Sequence, residues 1–281
     1  MEVEKTIEAM RNRLRDARRA GKTVGLVPTM GALHEGHYSL IQAGREGCDL
    51  LVVSIFVNPT QFGPDEDYAN YPRTMEQDLA GCEACGVDVV FAPGVEDMYP
   101  DKPLTTVSVS RLSETLCGSR RPGHFDGVCT VVAKLLNIVE PARVWFGAKD
   151  YQQSVVIRRM VKDLNFPVEV VVCPTVREPD GLAVSSRNAY LTPDERHQAP
   201  ALYAALKDAA QLINEKHPPA EDVIAAVRQR IVTDAPEGKL DYVQVVDPHT
   251  LEDLEQTDRP VVIAAALKLG KARLIDNVRV G

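Results

Sequence analysis

Two histidines three positions apart, His34 and His37, stand in the run Met30-Gly31-Ala32-Leu33-His34-Glu35-Gly36-His37. Residues 23–27 before it are apolar and read as a strand; residues 38–43 after it read as the first turns of a helix. The leading N–H groups of a helix lack intrahelical partners, and the helix dipole favours negative charge beside them. A strand, a glycine-bearing turn and a helix start therefore make a site for an anion such as a phosphate chain. Imidazoles placed there can stabilise charge as it builds in a transition state. Gly36 carries no Cβ, so a ligand can come close to the backbone between the two rings.

Several elements must carry such a site. Residues 49–58 (DLLVVSIFVN) are almost continuously apolar, as a strand covered on both faces of a parallel sheet should be. The run ends in Asn58-Pro59-Thr60-Gln61-Phe62-Gly63-Pro64, which proline and glycine keep out of helix. Asn58 and Gln61 thus sit at the carboxyl end of a buried strand, where ligands bind in open α/β sheets. Their amides donate and accept, which suits a small polar substrate. A helix reaching about Cys85, a strand over 87–92, an alternating strand over 101–111 around Thr105, Val107 and Val109, and a polar glycine-rich loop over 118–127 follow. Then come a helix over 128–139, a short strand over 144–146 leading into Gly147-Ala148-Lys149-Asp150, a helix that begins at Gln152 and Gln153, and a strand over 168–173. In residues 1–22 a helical face runs through Val3, Ile7, Met10 and Leu14.

This alternation predicts an α/β fold with a doubly wound, Rossmann-like parallel sheet over residues 1–175. The pattern changes after Pro174. A polar loop over 181–188, two helices over about 194–215 and 220–232, and alternating runs at 242–246, 261–267 and 272–277 predict a smaller α+β domain over 176–281 that acts as a lid.

The chain has 281 residues and a net charge of −8, and no basic footprint of the kind a general nucleic-acid binder needs. Its longest apolar run, near residues 50–57, is far short of a membrane span. The six cysteines are scattered and residues 1–22 lack a signal-peptide core, so the reading is a cytoplasmic protein with reduced thiols. Cys82 and Cys85 lie on one expected helix without a second pair, which argues against zinc. Gly21-Lys22-Thr23 ends like a phosphate-binding loop, but Asp16 occupies the required glycine position.

The His-x-Gly-His order resembles the signature of the nucleotidyltransferase superfamily, whose members split a nucleoside triphosphate between its α- and β-phosphates. An ordered set of further motifs spans most of the chain: Pro28-Thr29-Met30-Gly31, Phe56-Val57-Asn58-Pro59-x-Gln61-Phe62, Tyr71-Pro72-Arg73-Thr74, residues 121–127 (RPGHFDG), Gly147-x-Lys149-Asp150-x-Gln152-Gln153 and Ser185-Ser186-Arg187-Asn188. Together they closely resemble the pantoate–β-alanine ligase (pantothenate synthetase) family.

That resemblance implies an enzyme that activates pantoate with ATP to a pantoyl adenylate, releasing pyrophosphate, and then lets β-alanine displace AMP. It implies that His34, His37 and Lys149 carry the chemistry. ATP would lie against Met30, Gly31, Ala32, Leu33, His34, Glu35, Gly36, His37, Gly147, Ala148, Lys149, Asp150, Val176, Val184, Ser185, Ser186 and Arg187. Gln61 and Gln153, with Asn58, would hold pantoate and β-alanine. Mg²⁺ would ride on phosphate oxygens with no assigned protein ligand. Asp78 is weighed as an outer contact and read instead as a solvated helix carboxylate; His124 either lines the pantoate pocket or orders its own loop. The resemblance also implies a homodimer, small-molecule substrates, and no nucleic-acid or membrane partner.

Overall fold

The computed structural model describes residues 1–64 and 66–281. The chain divides into two compact units. The first comprises Met1–Ser113, Arg121–Ala148 and Gln153–Pro174; the second comprises Glu114–Arg120, Lys149–Gln152 and Thr175–Gly281. Two short segments that the sequence boundary assigns to the first domain thus group with the second.

The first unit is built on a parallel sheet of β1 (Glu2–Glu4), β2 (Val24–Thr29), β3 (Leu50–Ile55), β4 (Val89–Phe91), β5 (Arg143–Gly147) and β6 (Glu169–Cys173), in the order β1-β4-β3-β2-β5-β6. Every residue of β3 is buried, which explains its unbroken apolar sequence. Helices α1 (Ile7–Arg19), α2 (Glu35–Gly47), α3 (Met75–Ala84) and α4 (Val95–Met98) belong to this unit. Helix α5 (Leu116–Arg120) groups with the second unit, α6 (His124–Val139) returns to the first, and α7 (Tyr151–Asp163) follows β5. On one face of the sheet Val27, Leu51, Val53 and Trp145 pack with Leu40 and Ile41 of α2 and Cys82 of α3. The order reverses beside β2: β3 and β4 lie on one side, β5 and β6 on the other. The carboxyl ends of β2 and β5 therefore flank the switch point, where ligands bind in such sheets.

The second unit has an antiparallel sheet of β7 (Lys239–Val246), β8 (Val261–Leu269) and β9 (Ala272–Val280), with β8 central. Helix α8 (Pro193–Gln198) starts from Thr192, whose hydroxyl accepts from Glu195 N while the Glu195 carboxylate accepts from Thr192 N. Helices α9 (Ala201–Lys216) and α10 (Ala220–Asp234) share with the sheet a core that includes Leu206, Ile213, Val227, Val245, Ile263 and Leu267.

Three local expectations are corrected. Val3 does not continue a helix: Glu2–Glu4 pair with β4, and α1 begins after Thr6, whose hydroxyl accepts from Ala9 N at 3.2 Å. No strand forms over 101–111. Alternation alone does not make a strand there: the segment pairs with neither edge strand of the sheet, β1 or β6, and Val107 N donates to the Thr130 hydroxyl instead. The segment 118–127 is not all loop. It holds the end of α5 and the start of α6, with Gly123 left-handed (φ 79°) as the N-cap between them.

Candidate active site

Strand β2 ends at Thr29, whose hydroxyl donates to Ser54 O at 2.7 Å and accepts from Gly31 N at 3.1 Å. The chain then takes two left-handed residues in succession, Gly31 (φ 81°) and Ala32 (φ 51°). A Cβ on Gly31 would lie 3.0 Å from Asp78 Oδ2, so conformation and space both call for glycine. Successive N–H groups in such a turn form a concavity for an anion. Here the anion is the protein's own. Asp78, 2% exposed on α3, accepts from Ala32 N at 3.0 Å and Leu33 N at 2.8 Å, and from the Thr74 hydroxyl at 3.1 Å. This corrects the reading of Asp78 as a solvated carboxylate, and it commits the Ala32 and Leu33 N–H groups to the protein.

The next turn starts α2, capped by the histidines themselves. His34 Nδ1 accepts from Gly36 N at 3.2 Å, and His37 Nδ1 accepts from His34 N at 3.4 Å. An Nδ1 that accepts leaves the proton of a neutral ring on Nε2, so each imidazole carries an Nε2–H donor. The ring centroids are 4.1 Å apart. Two donors of this kind beside a helix N-terminus suit the oxygens of a phosphate chain. Gly147 and Ala148, at the end of β5, stand on the other side of the switch point.

At the end of β3 a single 3-10 turn, Pro59–Gln61, is capped by Asn58. Asn58 is 1% exposed. Its Oδ1 accepts from Thr60 N, the Thr60 hydroxyl and the Tyr99 hydroxyl; its Nδ2 donates to Gln61 Oε1 and Gly127 O, both at 3.1 Å. Gln61 Nε2 in turn donates to Met30 Sδ at 3.0 Å. The Gln61 amide is therefore oriented from both ends, and the Asn58 amide is occupied in orienting it. A Cβ on Gly127 would fall 2.3 Å from Thr60 O, so only glycine lets α6 lie so close to this turn. Gln153, in the first turn of α7, is partly exposed.

In the second unit, Lys149 lies in the 3-10 turn Ala148–Asp150. Its carbonyl accepts from Asn277 Nδ2 at 3.0 Å, and its ammonium lies 3.9 Å from Asp150 Oδ2. Val176 and Val184 face one another across a tight hairpin, Val184 N donating to Val176 O at 3.0 Å. Arg177 anchors that hairpin by two bonds to the buried carboxylate of Asp276, at 2.6 and 2.9 Å, and by stacking on Tyr203 at 3.5 Å. Ser185 then caps the 3-10 turn Ser186–Tyr190, its hydroxyl accepting from Arg187 N at 3.3 Å. Lys149 and Ser185 line one small cavity of about 10 Å³, room for a single water. Ser186 and Arg187 are partly exposed beside it in sequence. Composition alone reads this stretch as a plain loop, whereas the hairpin and its arginine anchor set its backbone.

Residues to which the sequence reading assigned no role in the site complete the framework. Glu66 and Arg121 form a two-point ion pair at 2.6 and 2.7 Å. Burial alone would lift the Glu66 carboxyl, but the hydrogen bonds and charge of Arg121 outweigh it and hold it at about 2. Gln152 is buried and ties down α5: its Oε1 accepts from Cys117 N at 3.0 Å and Gly118 N at 3.4 Å, and its Nε2 donates to Thr115 O at 2.8 Å. No local signal marks Glu66. Asp78 had one, its place four residues after Thr74 in a helix first turn. Among the described residues no group of three or more His, Cys, Asp or Glu is placed to hold a metal, and no helix is long and apolar enough to cross a membrane.

Comparison with known proteins gives this geometry its setting. The profile of the family described as Pantoate-beta-alanine ligase matches residues 2–279. The chain is 53% identical over 278 residues to a pantothenate synthetase of Moorella thermoacetica, covering 99% of this chain and 98% of that one. It is 54% identical to one of Thermotoga neapolitana over the full length of both. Its structure superposes on a pantothenate synthetase of Thermus thermophilus with a TM-score of 0.93 at 46% identity, covering 99% of each chain. It superposes with a TM-score of 0.80 at 35% identity, covering 99% of this chain and 97% of the other, on a pantoate-beta-alanine ligase of Francisella tularensis complexed with beta-gamma ATP and beta-alanine. With a histidine-capped helix at the switch point of a parallel sheet, and a family match that runs almost from end to end, this chain belongs to the pantoate-beta-alanine ligase family.

Proposed function

We infer that this chain condenses pantoate with β-alanine, driven by ATP, through a pantoyl adenylate. The observation that carries the reading, beside the family match, is the pair of Nε2–H donors at the start of α2. A pantoate carboxylate oxygen attacks the α-phosphorus, the bond to the bridging oxygen breaks, and pyrophosphate leaves. The carboxylate arrives ionised, so this step needs no general base; it needs neutralisation of two anions brought together. His34 and His37 donate to the phosphate oxygens as charge builds. Lys149 adds a compact positive charge, and Ser185, Ser186 and Arg187 contribute hydroxyl, backbone and guanidinium donors. Gln61 and Gln153 hold pantoate by its hydroxyl and carboxylate oxygens, with Asn58 acting through Gln61. The β-alanine amine then attacks the acyl carbon, the bond to the adenylate oxygen breaks, AMP leaves, and the ammonium proton passes to solvent.

Mg²⁺ fits this site as a metal brought by the nucleotide. No acidic cluster is placed to cage it among the described residues, Asp78 is engaged by backbone donors, and Mg²⁺ commonly keeps its waters and binds substrate phosphates. When bound it neutralises phosphate charge. The second unit acts as a lid that brings its phosphate-binding residues to ATP, the enzyme works as a homodimer, and its compartment is the cytoplasm.

A carboxylate that attacks phosphorus releases pyrophosphate before any amine is required. With ATP, Mg²⁺ and pantoate alone, about one pyrophosphate per site is expected, together with an acyl adenylate. Release only after β-alanine is added would rule out the two-step route.

A further inference from the structure

The Gln61 side chain is oriented by Asn58 and Met30, and its backbone is gripped from the opposite direction. His124 Nδ1 lies 2.7 Å from the Gln61 carbonyl oxygen. A carbonyl only accepts, so Nδ1 carries the proton and donates. In the neutral ring His124 Nε2 is then an acceptor, and Arg121 Nη1, 2.9 Å away, is a donor that is always protonated. Two bonds to two different partners thus agree on a single tautomer. Arg121 Nη2 also reaches the Gln61 carbonyl at 3.4 Å. The guanidinium is itself oriented by Glu66, through Nε to Oε1 at 2.6 Å and Nη2 to Oε2 at 2.7 Å. Glu66 Oε2 accepts from Gly63 N at 3.1 Å, which returns the network to the turn two residues after Gln61. The pair is largely shielded, with side-chain exposures of 19% and 26%, and Glu66 stays ionised throughout the neutral range because Arg121 overrides the effect of burial.

We propose that Glu66, Arg121 and His124 form a positioning relay that fixes the backbone, and hence the amide, of Gln61 for pantoate. The proposal rests on the reading of Gln61 as a pantoate-holding residue. The relay acts on substrate grip, and the phosphate chemistry lies on a different loop, so its loss should appear in one Michaelis constant.

Steady-state kinetics on Arg121→Met, His124→Ala, His124→Asn and Gln61→Ala test this. Arg121→Met should raise the pantoate KM about five- to tenfold, the size of one lost hydrogen bond, while kcat and the ATP KM stay within about twofold. The double variant Glu66→Gln/Arg121→Met leaves no orphaned carboxylate and should behave alike if the single variant folds poorly. His124→Asn keeps an amide donor where Nδ1 stood, so it should restore most of the pantoate affinity lost in His124→Ala. In a Gln61→Ala background, Arg121→Met should add less than about twofold, since the relay has nothing left to orient. An unchanged pantoate KM in both Arg121 variants, or full additivity with Gln61→Ala, or no rescue by His124→Asn, would overturn the relay while leaving Gln61 in its role. An unchanged pantoate KM in Gln61→Ala would overturn the Gln61 reading, and the relay with it.

Discussion

In the proposed reaction His34 and His37 would divide structural and chemical work between different ring atoms. Each Nδ1 satisfies an N–H at the start of α2, a task that serine, threonine or aspartate usually performs. That bond also fixes the tautomer and leaves Nε2–H as a donor. The roles proposed for Lys149 and Gln153 divide the labour differently. Lysine charge matters most where negative charge gathers at the α-phosphorus, whereas a glutamine holding pantoate acts in ground and transition states alike. Lys149→Ala should therefore slow single-turnover pyrophosphate release by about 10²–10³ with little change in pantoate affinity. Gln153→Ala should chiefly raise the pantoate KM. Near-normal adenylation in Lys149→Ala would reduce that lysine to a surface residue.

Single elements are held where the site needs them by contacts between distant parts of the sequence. The turn Pro59–Gln61 is fitted to α6 by the missing side chain of Gly127 and by the Asn58 bond to Gly127 O. Beyond the turn, the Glu66–Arg121 pair ties the following loop to the residues just ahead of α6. That tie has a pH signature. Glu66 is held at about 2 in the folded chain, against about 4.3 for a free glutamate. A depressed carboxyl contributes its full stability above the unfolded value and loses it as pH falls through the folded one. Between pH of about 4.3 and 2 the wild type should lose roughly 1–2 kcal/mol from this group, allowing for its partial exposure. Glu66→Gln should flatten that part of the acid limb in urea titrations run at stepped pH. Parallel limbs would show that the pair adds nothing to stability.

For the molecule as a whole, two expectations concern assembly and motion. Light scattering at micromolar concentration should give twice the chain mass, and a monomer would count against the homodimer. Residues 185–187 belong to the second unit and His34 and His37 to the first. If both groups engage one triphosphate, amide exchange over residues 180–190 should slow when ATP is bound. The hairpin, with its Arg177–Asp276 anchor, is ordered by its own unit, so the slowing should concentrate on Ser185, Ser186 and Arg187. Exchange unchanged at saturating ATP would remove this turn from the site.

The order of apolar runs, turns and helix starts determined the α/β class, the parallel sheet, the smaller antiparallel sheet and the histidine-bearing turn at the end of β2. Those features follow from backbone preferences and burial patterns that act within a few residues. Tertiary structure alone decided which groups met. The alternating segment at 101–111 is sound as a local strand pattern, but a strand needs a partner strand, and the packed chain gives Val107 N the Thr130 hydroxyl instead. Asp78 looks like any exposed helix carboxylate until α3 sets it beneath two residues that lie 45 and 46 positions earlier in the chain. Glu66 and Arg121 are 55 positions apart. Asn58 reads as a substrate amide, and its neighbours in space show that its hydrogen bonds go to Gln61, Thr60, Tyr99 and Gly127. Local sequence sets what a residue can donate or accept; only the packing of distant segments decides which partner receives it.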